Sequence, residues 1–220
     1  HNHYDHLDIA TLTRLHRHHR PQVVTPLGND TIIHAAEPHM LVKTGDWGDV
    51  VDVGDAVRVH IEPCHHWSAR GSRDRRMALW SAFVLETPAG LVYHIGDTGF
   101  HNGINYRKAH DKFGGFRLAI LPVGASEPRW FMKDHHQDPH EAVEGFELCA
   151  AEHAIGHHWG TFQLTNEAVE DPLDRLAGAL AEKRIDADRF RTLRPGESWD
   201  IPVASKTASD TPQPAASGNL

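Results

Sequence analysis

The chain has 220 residues, of which 40% are hydrophobic and 24% charged, and its formal net charge is -8. This composition is typical of a globular protein and excludes collagen-like, coiled-coil and largely disordered chains. The excess of acidic residues argues against broad nucleic-acid binding, which depends on neutralising phosphates. There is no apolar run of about 18 residues that could span a bilayer, and two cysteines are too few for a disulfide scaffold. We therefore expect a cytoplasmic protein, and its unusual feature is a set of 20 histidines.

Apolar spacing and turn residues predict an alternation of helices and strands. In chain order, the predicted elements are a helix over 7–20 ended by Pro21, a strand over 22–25, a loop and short helix over 28–36, a strand over 57–62, a hairpin of 79–86 and 91–95, a strand over 117–122, helices over 138–153 and 166–183, and a last strand over 198–203. Strand pairs within such an order predict sheets covered by helices on the outside. Residues 204–220 have too little apolar surface to offset ordering entropy, so we expect a disordered tail after one domain over 1–203.

The strongest chemical signal is the opening hexapeptide, HNHYDH. Side chains at alternate positions of an extended segment point to one side, so His1, His3 and Asp5 can converge. His6 can join them if the chain then turns into the first helix. Imidazole nitrogen and carboxylate oxygen are donors that suit zinc. One cation takes about four protein donors, so four ligands in six residues, with more downstream, indicate two metal ions. The alternative is a surface histidine cluster.

Three later segments each place a candidate ligand close behind a predicted strand or apolar step. These candidates are His65 and His66, then Asp97 in a Gly-Asp-Thr-Gly turn, then His157 and His158. In α/β folds, functional residues gather at the carboxyl ends of strands. Each segment alone is a weak signal, because an isolated Asp after a strand usually forms a turn and an isolated His-Trp pair usually packs. Together, in this order, they predict one shared site.

The order H-x-H-x-D-H, a later His, G-D-T-G and a final His resembles the metallo-β-lactamase superfamily. Within it, the sequence is similar to the N-acyl-phosphatidylethanolamine-hydrolysing phospholipase D group. The matching segments are HNHYDHLD (1–8), HW followed by Arg (66–70), GDTG (96–99), GASEPRWFMK (124–133), DP-x-EA (138–142) and HWGTF-x-L-x-NE (158–167). The resemblance runs from the first residue to about Ser198. It implies an α/β fold, the metallo-β-lactamase αββα sandwich.

The resemblance also implies a ligand set for two zinc ions. One ion would be held by His1, His3 and His66, the other by Asp5, His6 and His158, with Asp97 bridging the two. For the two adjacent histidine pairs, the second member is preferred because it precedes Trp, as in the HW dipeptide of the family.

The activity that the resemblance implies is hydrolysis of N-acyl-phosphatidylethanolamine-like lipids by a phosphodiesterase, through a hydroxide that bridges the metals. Asp97 would fix the metal spacing and Asp5 would orient the hydroxide, so both are expected to be catalytic. Arg70 matches a basic position of the family, and a guanidinium suits a phosphodiester. Tyr4 either reaches a leaving oxygen or packs, and His136 either lines the substrate pocket or serves its loop.

The expected partners are a small-molecule or phospholipid substrate, a membrane surface contacted peripherally and no nucleic acid, with a homodimer left open. Trp130, Phe131 and Met132 are expected either to form an apolar entrance for acyl chains or to belong to the core.

The family carries a strand-rich portion before the H-x-H-x-D-H segment, and this sequence does not contain it. We therefore expect the C-terminal part of a longer protein, with an N-terminally truncated fold that is poorly soluble or loosely packed alone. Three alternatives stay open: a sugar-phosphate lactonase with the same metals, an inactive metal-binding fragment, and a copper enzyme that uses His1 as its mature N-terminus. The copper hypothesis leaves four residues unexplained, namely Asp5, His66, Asp97 and His158. The EPRWFMK and HWGTF segments favour the phospholipase-like group over the lactonase.

Overall fold

The structure is a computed structural model that describes residues 1–203; the predicted tail lies outside the described residues. The helices are α1 (Ile9–His19), α2 (Asn29–Ala36), α3 (Ile104–Phe113), α4 (Arg129–Met132), α5 (Pro139–Leu148) and α6 (Asp171–Lys183). The strands are β1 (Val23–Pro26), β2 (Val42–Gly45), β3 (Val50–Val53), β4 (Val57–Glu62), β5 (Ala82–Thr87), β6 (Gly90–His94), β7 (Phe116–Pro122), β8 (Ala151–His157) and β9 (Phe190–Thr192). Short 3₁₀ turns cover His101–Gly103 and Ala187–Arg189.

Among residues 1–203, strands β3 to β9 form one sheet in chain order. The pairs from β3 to β6 are antiparallel, whereas those from β6 to β9 are parallel. The predicted hairpin is confirmed, because β5 and β6 pair up to Thr87 and Gly90 across a two-residue turn. Strands β1 and β2 form a separate parallel pair. The predicted α/β class is confirmed, and residues 1–203 contain two sheets, the seven-stranded one and this parallel pair.

The main core lies between the sheet and helices α3, α5 and α6. It contains Tyr93 of β6, Tyr106 of α3 and Phe146 of α5. A smaller cluster, with Leu7, Ile33 and Met40, lies where α1 and α2 approach β1 and β2.

Strand direction decides where the loops of the site meet. Strands β6, β7 and β8 are parallel. Strand β4 runs the same way, because two successive antiparallel pairings separate it from β6. Loops that follow strands of one direction emerge at the same edge of the sheet. The segments that carry His66, Asp97 and His158 therefore share one edge.

Two predicted helices have different bounds in the structure. The helix predicted over 138–153 ends at Leu148, Ala150 adopts a left-handed φ of 51°, and β8 begins at Ala151. Burial of this segment between β7 and β9 overrides the helical propensity of its alanines. The helix predicted over 166–183 begins at Asp171, because Pro172 has no N–H to donate and fits only the first turn.

The predicted last strand is wrong. In the described structure, residues 198–203 have no strand partner, and the last strand is β9, which pairs with β8. The side chain of Arg117 donates hydrogen bonds to the carbonyl oxygens of Ile201 and Pro202. These carbonyls therefore bond to a guanidinium and not to a neighbouring strand.

Candidate metal centre

The opening hexapeptide folds into a turn that delivers several side chains to one side. The backbone N–H groups of His6 and Leu7 both donate to the carbonyl oxygen of His3, at 3.1 and 2.9 Å. This turn brings His6 toward the side of His1 and His3, while Tyr4 at its outer part is 68% exposed. Helix α1 follows directly, capped by the carboxylate of Asp8.

His1, His3 and His66 form the first group of candidate ligands, with one ring nitrogen of each within 4.8 Å of the others. The Nε2 atom of His66 lies 3.4 Å from Nδ1 of His3. The other ring nitrogen of His66, Nδ1, lies 3.1 Å from the carbonyl oxygen of His135 and can donate to it, which directs the Nε2 lone pair into the cluster. Burial lowers the pKa of His66 to about 3, so its ring is neutral at pH 7.

Asp5, His6, Asp97 and His158 form the second group. The Oδ2 atom of Asp97 lies 3.0 Å from Nε2 of His6 and 3.3 Å from Nε2 of His158. The Oδ2 atom of Asp5 lies 3.5 Å from each of the same two nitrogens. Two carboxylates and two imidazoles therefore surround one small volume.

Asp97, a member of the second group, also lies close to two histidines of the first. Its Oδ2 atom is also 3.8 Å from Nε2 of His1 and 3.9 Å from Nε2 of His66. Burial by itself would raise the pKa of Asp97, but the imidazoles of His158 and His6 outweigh it and hold this pKa well below its usual range. The side chain is therefore an ionised, buried carboxylate within reach of both sets of donors.

The cluster has the properties of a metal site. Several of its buried polar atoms have no hydrogen-bond partner within residues 1–203, namely Nε2 of His1 and His3, Oδ1 of Asp97 and both ring nitrogens of His158. Buried polar atoms without partners are costly and rare in native proteins. Neutral imidazoles and carboxylates directed at one point are the donors that zinc prefers. The residues present therefore fit a divalent metal ion.

The two other members of the adjacent histidine pairs lie outside this cluster. His65 stacks on His101 with ring centres 4.0 Å apart, and its Nδ1 atom bonds the amide of Asn105 at 2.8 Å. His157 packs against His94 with ring centres 5.0 Å apart. Burial lowers the pKa of His94 to about 4. Within residues 1–203, His65 and His157 thus pack against other side chains and belong to neither group of candidate ligands.

His136 lies inside the site. One of its ring nitrogens, together with donor atoms of His66 and Asp97, forms a third close group, and its ring stacks on His158 at 5.4 Å. Burial lowers the pKa of His136 to about 4, so it is a neutral imidazole next to the ligands. Its carbonyl oxygen accepts a hydrogen bond of 2.8 Å from Nη1 of Arg129. Substrate binding by His136 stays a prediction.

Arg70 and Tyr4 contact each other and the ligand segment. The Nη1 atom of Arg70 donates to the carbonyl oxygens of Leu7 and Asn2, at 2.8 and 3.2 Å. The guanidinium carbon lies 3.7 Å from the centre of the Tyr4 ring. Their predicted contact with substrate stays a prediction.

A cavity of about 320 Å³ opens beside the second group. Its lining consists of Asp5, His6, His157, His158, Trp159, Thr161, Phe162 and Leu164. Sequence reasoning assigned no role to Thr161, Phe162 or Leu164. The signal that could have found them is the HWGTF segment, since residues close behind a ligand tend to line the same pocket.

The loop after β7 supports His158 from behind. His158 has a left-handed φ of 62°, which is uncommon for a residue with a Cβ atom and occurs at functional sites. A Cβ atom at Gly124 would collide with the carbonyl oxygen of His158. Glycine at 124 is therefore required for the two loops to approach each other.

A family profile described as Beta-lactamase superfamily domain matches residues 1–159. The chain belongs to the metallo-β-lactamase superfamily. The solved structure of a metallo hydrolase from Ignicoccus hospitalis is similar in fold, with a TM-score of 0.63 at 16% identity, over 90% of this chain and 75% of that one. The predicted metallo-β-lactamase fold is thus confirmed.

Among curated superfamily members, N-acyl-phosphatidylethanolamine-hydrolyzing phospholipase D 1 of Caenorhabditis elegans is 36% identical, over 91% of this chain and 59% of its own length. The mitochondrial N-acyl-phosphatidylethanolamine-hydrolyzing phospholipase D of Saccharomyces cerevisiae is 29% identical, over 80% of this chain and 38% of its own length. The chain therefore spans only part of both relatives. None of the helices in the described residues has the length and apolar character needed to cross a membrane.

Proposed function

We propose that this superfamily member is a zinc phosphodiesterase of the phospholipase D type, acting on N-acyl-phosphatidylethanolamine-like lipids with two zinc ions. The observation that carries the metal chemistry is the buried Asp97 carboxylate, whose Oδ2 atom lies within 4 Å of imidazole nitrogens from both groups. The lipid substrate is supported by 36% identity to the C. elegans phospholipase D.

The ligands divide as the two groups of side chains do. His1, His3 and His66 would hold one zinc ion, Asp5, His6 and His158 the other, and Asp97 would contribute to both. The chemistry that bound zinc supplies is Lewis acidity and a water molecule whose pKa is lowered toward neutrality.

Asp5 is the residue best placed to orient the attacking water. It lines the cavity, and its side chain is 26% exposed, against 2% for Asp97. The imidazole of His158, 3.5 Å from Oδ2 of Asp5, lowers the pKa of Asp5, so its carboxylate is ionised and can accept a hydrogen bond from water. Asp97, enclosed by imidazoles, has the role of fixing the distance between the two sets of ligands.

The substrate side of the site combines one polar and several apolar groups. The neutral ring of His136 can donate an N–H to a phosphoryl oxygen, which stabilises charge that develops there. Trp159, Phe162 and Leu164 give the cavity an apolar wall that suits the alkyl part of a lipid. Trp130 and Phe131 on α4 are 80% and 65% exposed, and we propose that they contact acyl chains at a membrane surface. A homodimer and a cytoplasmic location stay predictions.

The direct test uses zinc-loaded protein and mixed micelles of N-acyl-phosphatidylethanolamine, with the N-acylethanolamine product measured by mass spectrometry. We expect turnover by the wild type and a loss of about 100-fold or more in Asp97→Ala, because the variant lacks the shared ligand. The matched control is Glu170→Gln, which removes an exposed carboxylate.

A sugar-phosphate lactone and bis(p-nitrophenyl) phosphate serve as competing substrates in the same assay. Turnover of the lactone alone would replace the phospholipase with a lactonase. A zinc-loaded wild type that turns over none of the three would be the inactive metal-binding fragment.

A further inference from the structure

We propose that Arg70 is a positioning residue that holds the ligand segment, residues 1–6, against the loop that carries His66. The sequence suggested instead that Arg70 binds the substrate phosphate. The inference rests on the proposed metal centre and concerns how its two halves are kept in register.

The guanidinium of Arg70 forms hydrogen bonds with the backbone of the opening turn. Its Nη1 atom donates to Asn2 and Leu7, at the two ends of the turn that presents the ligands. A guanidinium Nη1 has two hydrogens, and these two carbonyl oxygens take both. The donor that a phosphate would need at this nitrogen is therefore already occupied.

Arg70 also contacts the side chain of Tyr4. The Arg70 guanidinium lies over the Tyr4 ring at 3.7 Å, within the range of a favourable cation–π contact. Tyr4 lies between the ligands His3 and Asp5, so this contact fixes the middle of the segment. The bonds to Asn2 and Leu7 fix the chain near its start and directly after it. Arg70 thus holds the segment at three points.

Hydrogen bonds within the loop after His66 hold Arg70 in place. The backbone N–H groups of Arg70 and Gly71 donate to the two carboxylate oxygens of Asp74, each at 2.8 Å. Further along, the N–H of Arg76 closes the loop on the carbonyl oxygen of Ser68 at 2.7 Å. His66 begins this loop, so a fixed Arg70 is fixed relative to His66.

Arg70 connects the two pieces of chain that supply the first group of ligands. Four of the proposed ligands, His1, His3, Asp5 and His6, lie on the segment that Arg70 holds, and His66 lies on the loop that supplies Arg70. The 3.4 Å separation of His3 and His66 crosses between these two pieces of chain. A shift of one piece against the other would spread the first group of ligands and weaken metal binding.

The test compares Arg70→Met and Arg70→Lys with Arg73→Met, a control in the same loop that removes an exposed arginine. Zinc affinity is measured by competition with a chromophoric chelator, and kcat and KM for bis(p-nitrophenyl) phosphate are measured at saturating zinc. Circular dichroism checks that each variant folds. The visible spectrum of the cobalt-substituted protein reports ligand geometry without any turnover.

We expect Arg70→Met to lower zinc affinity by about 10-fold or more, as outer residues that orient metal ligands do, with an altered cobalt spectrum and a nearly unchanged KM. Arg70→Lys keeps the charge but not the planar fork, so we expect an intermediate loss, and no loss for Arg73→Met. Unchanged zinc affinity and cobalt spectrum with a raised KM in both Arg70 variants would overturn the inference and make Arg70 a substrate ligand. A wild type that binds zinc but cleaves no lipid would remove the proposed function and leave the role of Arg70 standing on the affinity data.

Discussion

The Nε2 atom of His6 lies 3.0 Å from Oδ2 of Asp97, although His6 precedes α1 and Asp97 follows β6. The contact joins the opening turn to the edge of the main sheet. A buried carboxylate surrounded by imidazoles is costly unless its charge is compensated. The expected consequence is a site whose metal content, stability and activity change together when Asp97 is changed.

Acidification should release zinc. Imidazoles bind zinc only when neutral, and the ordinary pKa of histidine is about 6.5, so protons compete with the metal more strongly as pH falls. We expect bound zinc, measured by elemental analysis after dialysis, to fall as the pH drops below about 6 and to return when zinc is restored at pH 7.5. Full zinc retention well below that range would contradict histidine ligation.

The metal-free protein should also lose stability in acid, and His94 should contribute to the loss. Burial lowers the pKa of His94 to about 4 from the ordinary 6.5. Between these values the unfolded chain binds a proton that the folded chain does not, so the free energy of unfolding falls as pH drops. Above pH 6.5 His94 causes no loss of stability. Between pH 6.5 and about 4 it lowers the free energy of unfolding by about 1 kcal/mol per pH unit, and below about pH 4 the loss from His94 grows no further.

Urea denaturation at pH 7.5, 6 and 5 checks this linkage, with His94→Asn as the comparison. The variant has no imidazole at this position, so its stability should fall less steeply with decreasing pH. Parallel pH profiles for the two proteins would show that His94 does not carry the effect.

The sequence was sufficient for the parts of the molecule that have strong local signals. Pro21 after a run of apolar spacing located the end of α1, and the turn residues from Thr87 to Gly90, with Pro88 and Ala89 between the paired ends, located the hairpin. The histidine and aspartate clusters were visible because each lies in a short motif next to a strand or helix. One sheet edge then brings them together.

The remaining features depend on tertiary contacts. Helix α3 has a mixed sequence in which even Asn105 is buried, and β9 is only three residues long, so neither shows a clear period. Strand β8 contains alanines that favour helix, and only its place between two parallel neighbours makes it a strand. The partners of Arg70 are backbone carbonyl groups far away in sequence, and no side-chain motif reveals them.

Glu167 should stabilise the loop that precedes α4. Its carboxylate accepts hydrogen bonds from the backbone N–H groups of Ser126 and Glu127, at 3.0 and 2.7 Å. Both bonds end on Oε2, and the Ser126 N–H also donates to Oε1 at 3.1 Å. The amide of Glu167→Gln has one acceptor oxygen and no charge, so the variant loses the Oε1 contact and weakens the other two bonds, and the free energy of unfolding should fall by about 1 kcal/mol. Urea denaturation at pH 7.5 measures the change.

The matched control for Glu167 is Glu170→Gln, which weakens an exposed pair with Arg194. Exposed ion pairs contribute little to stability, so this variant should stay close to the wild type. Equal stability losses for the two variants would indicate a general charge effect and not the specific backbone contacts of Glu167.

Phe162 should select for the alkyl part of the substrate. It lines the cavity beside Asp5 and His158, so Phe162→Ala removes apolar contact area from bound lipid. We expect kcat/KM for long-chain N-acyl-phosphatidylethanolamine to fall by about 10-fold, consistent with the loss of part of an aromatic contact, and short-chain substrates to be affected less.

Met77→Ala is the comparison for Phe162, since Met77 is 77% exposed and does not line this cavity. It should leave the chain-length profile unchanged. An identical fall for long and short chains in Phe162→Ala would place the alkyl group elsewhere.

The most direct measurement is an anomalous difference map at the zinc absorption edge, from crystals of the zinc-loaded protein. We expect two peaks about 3.5–4 Å apart, one beside His1, His3 and His66, the other beside Asp5, His6 and His158, with Asp97 contacting both. A map with no peak among these side chains would contradict the central claim.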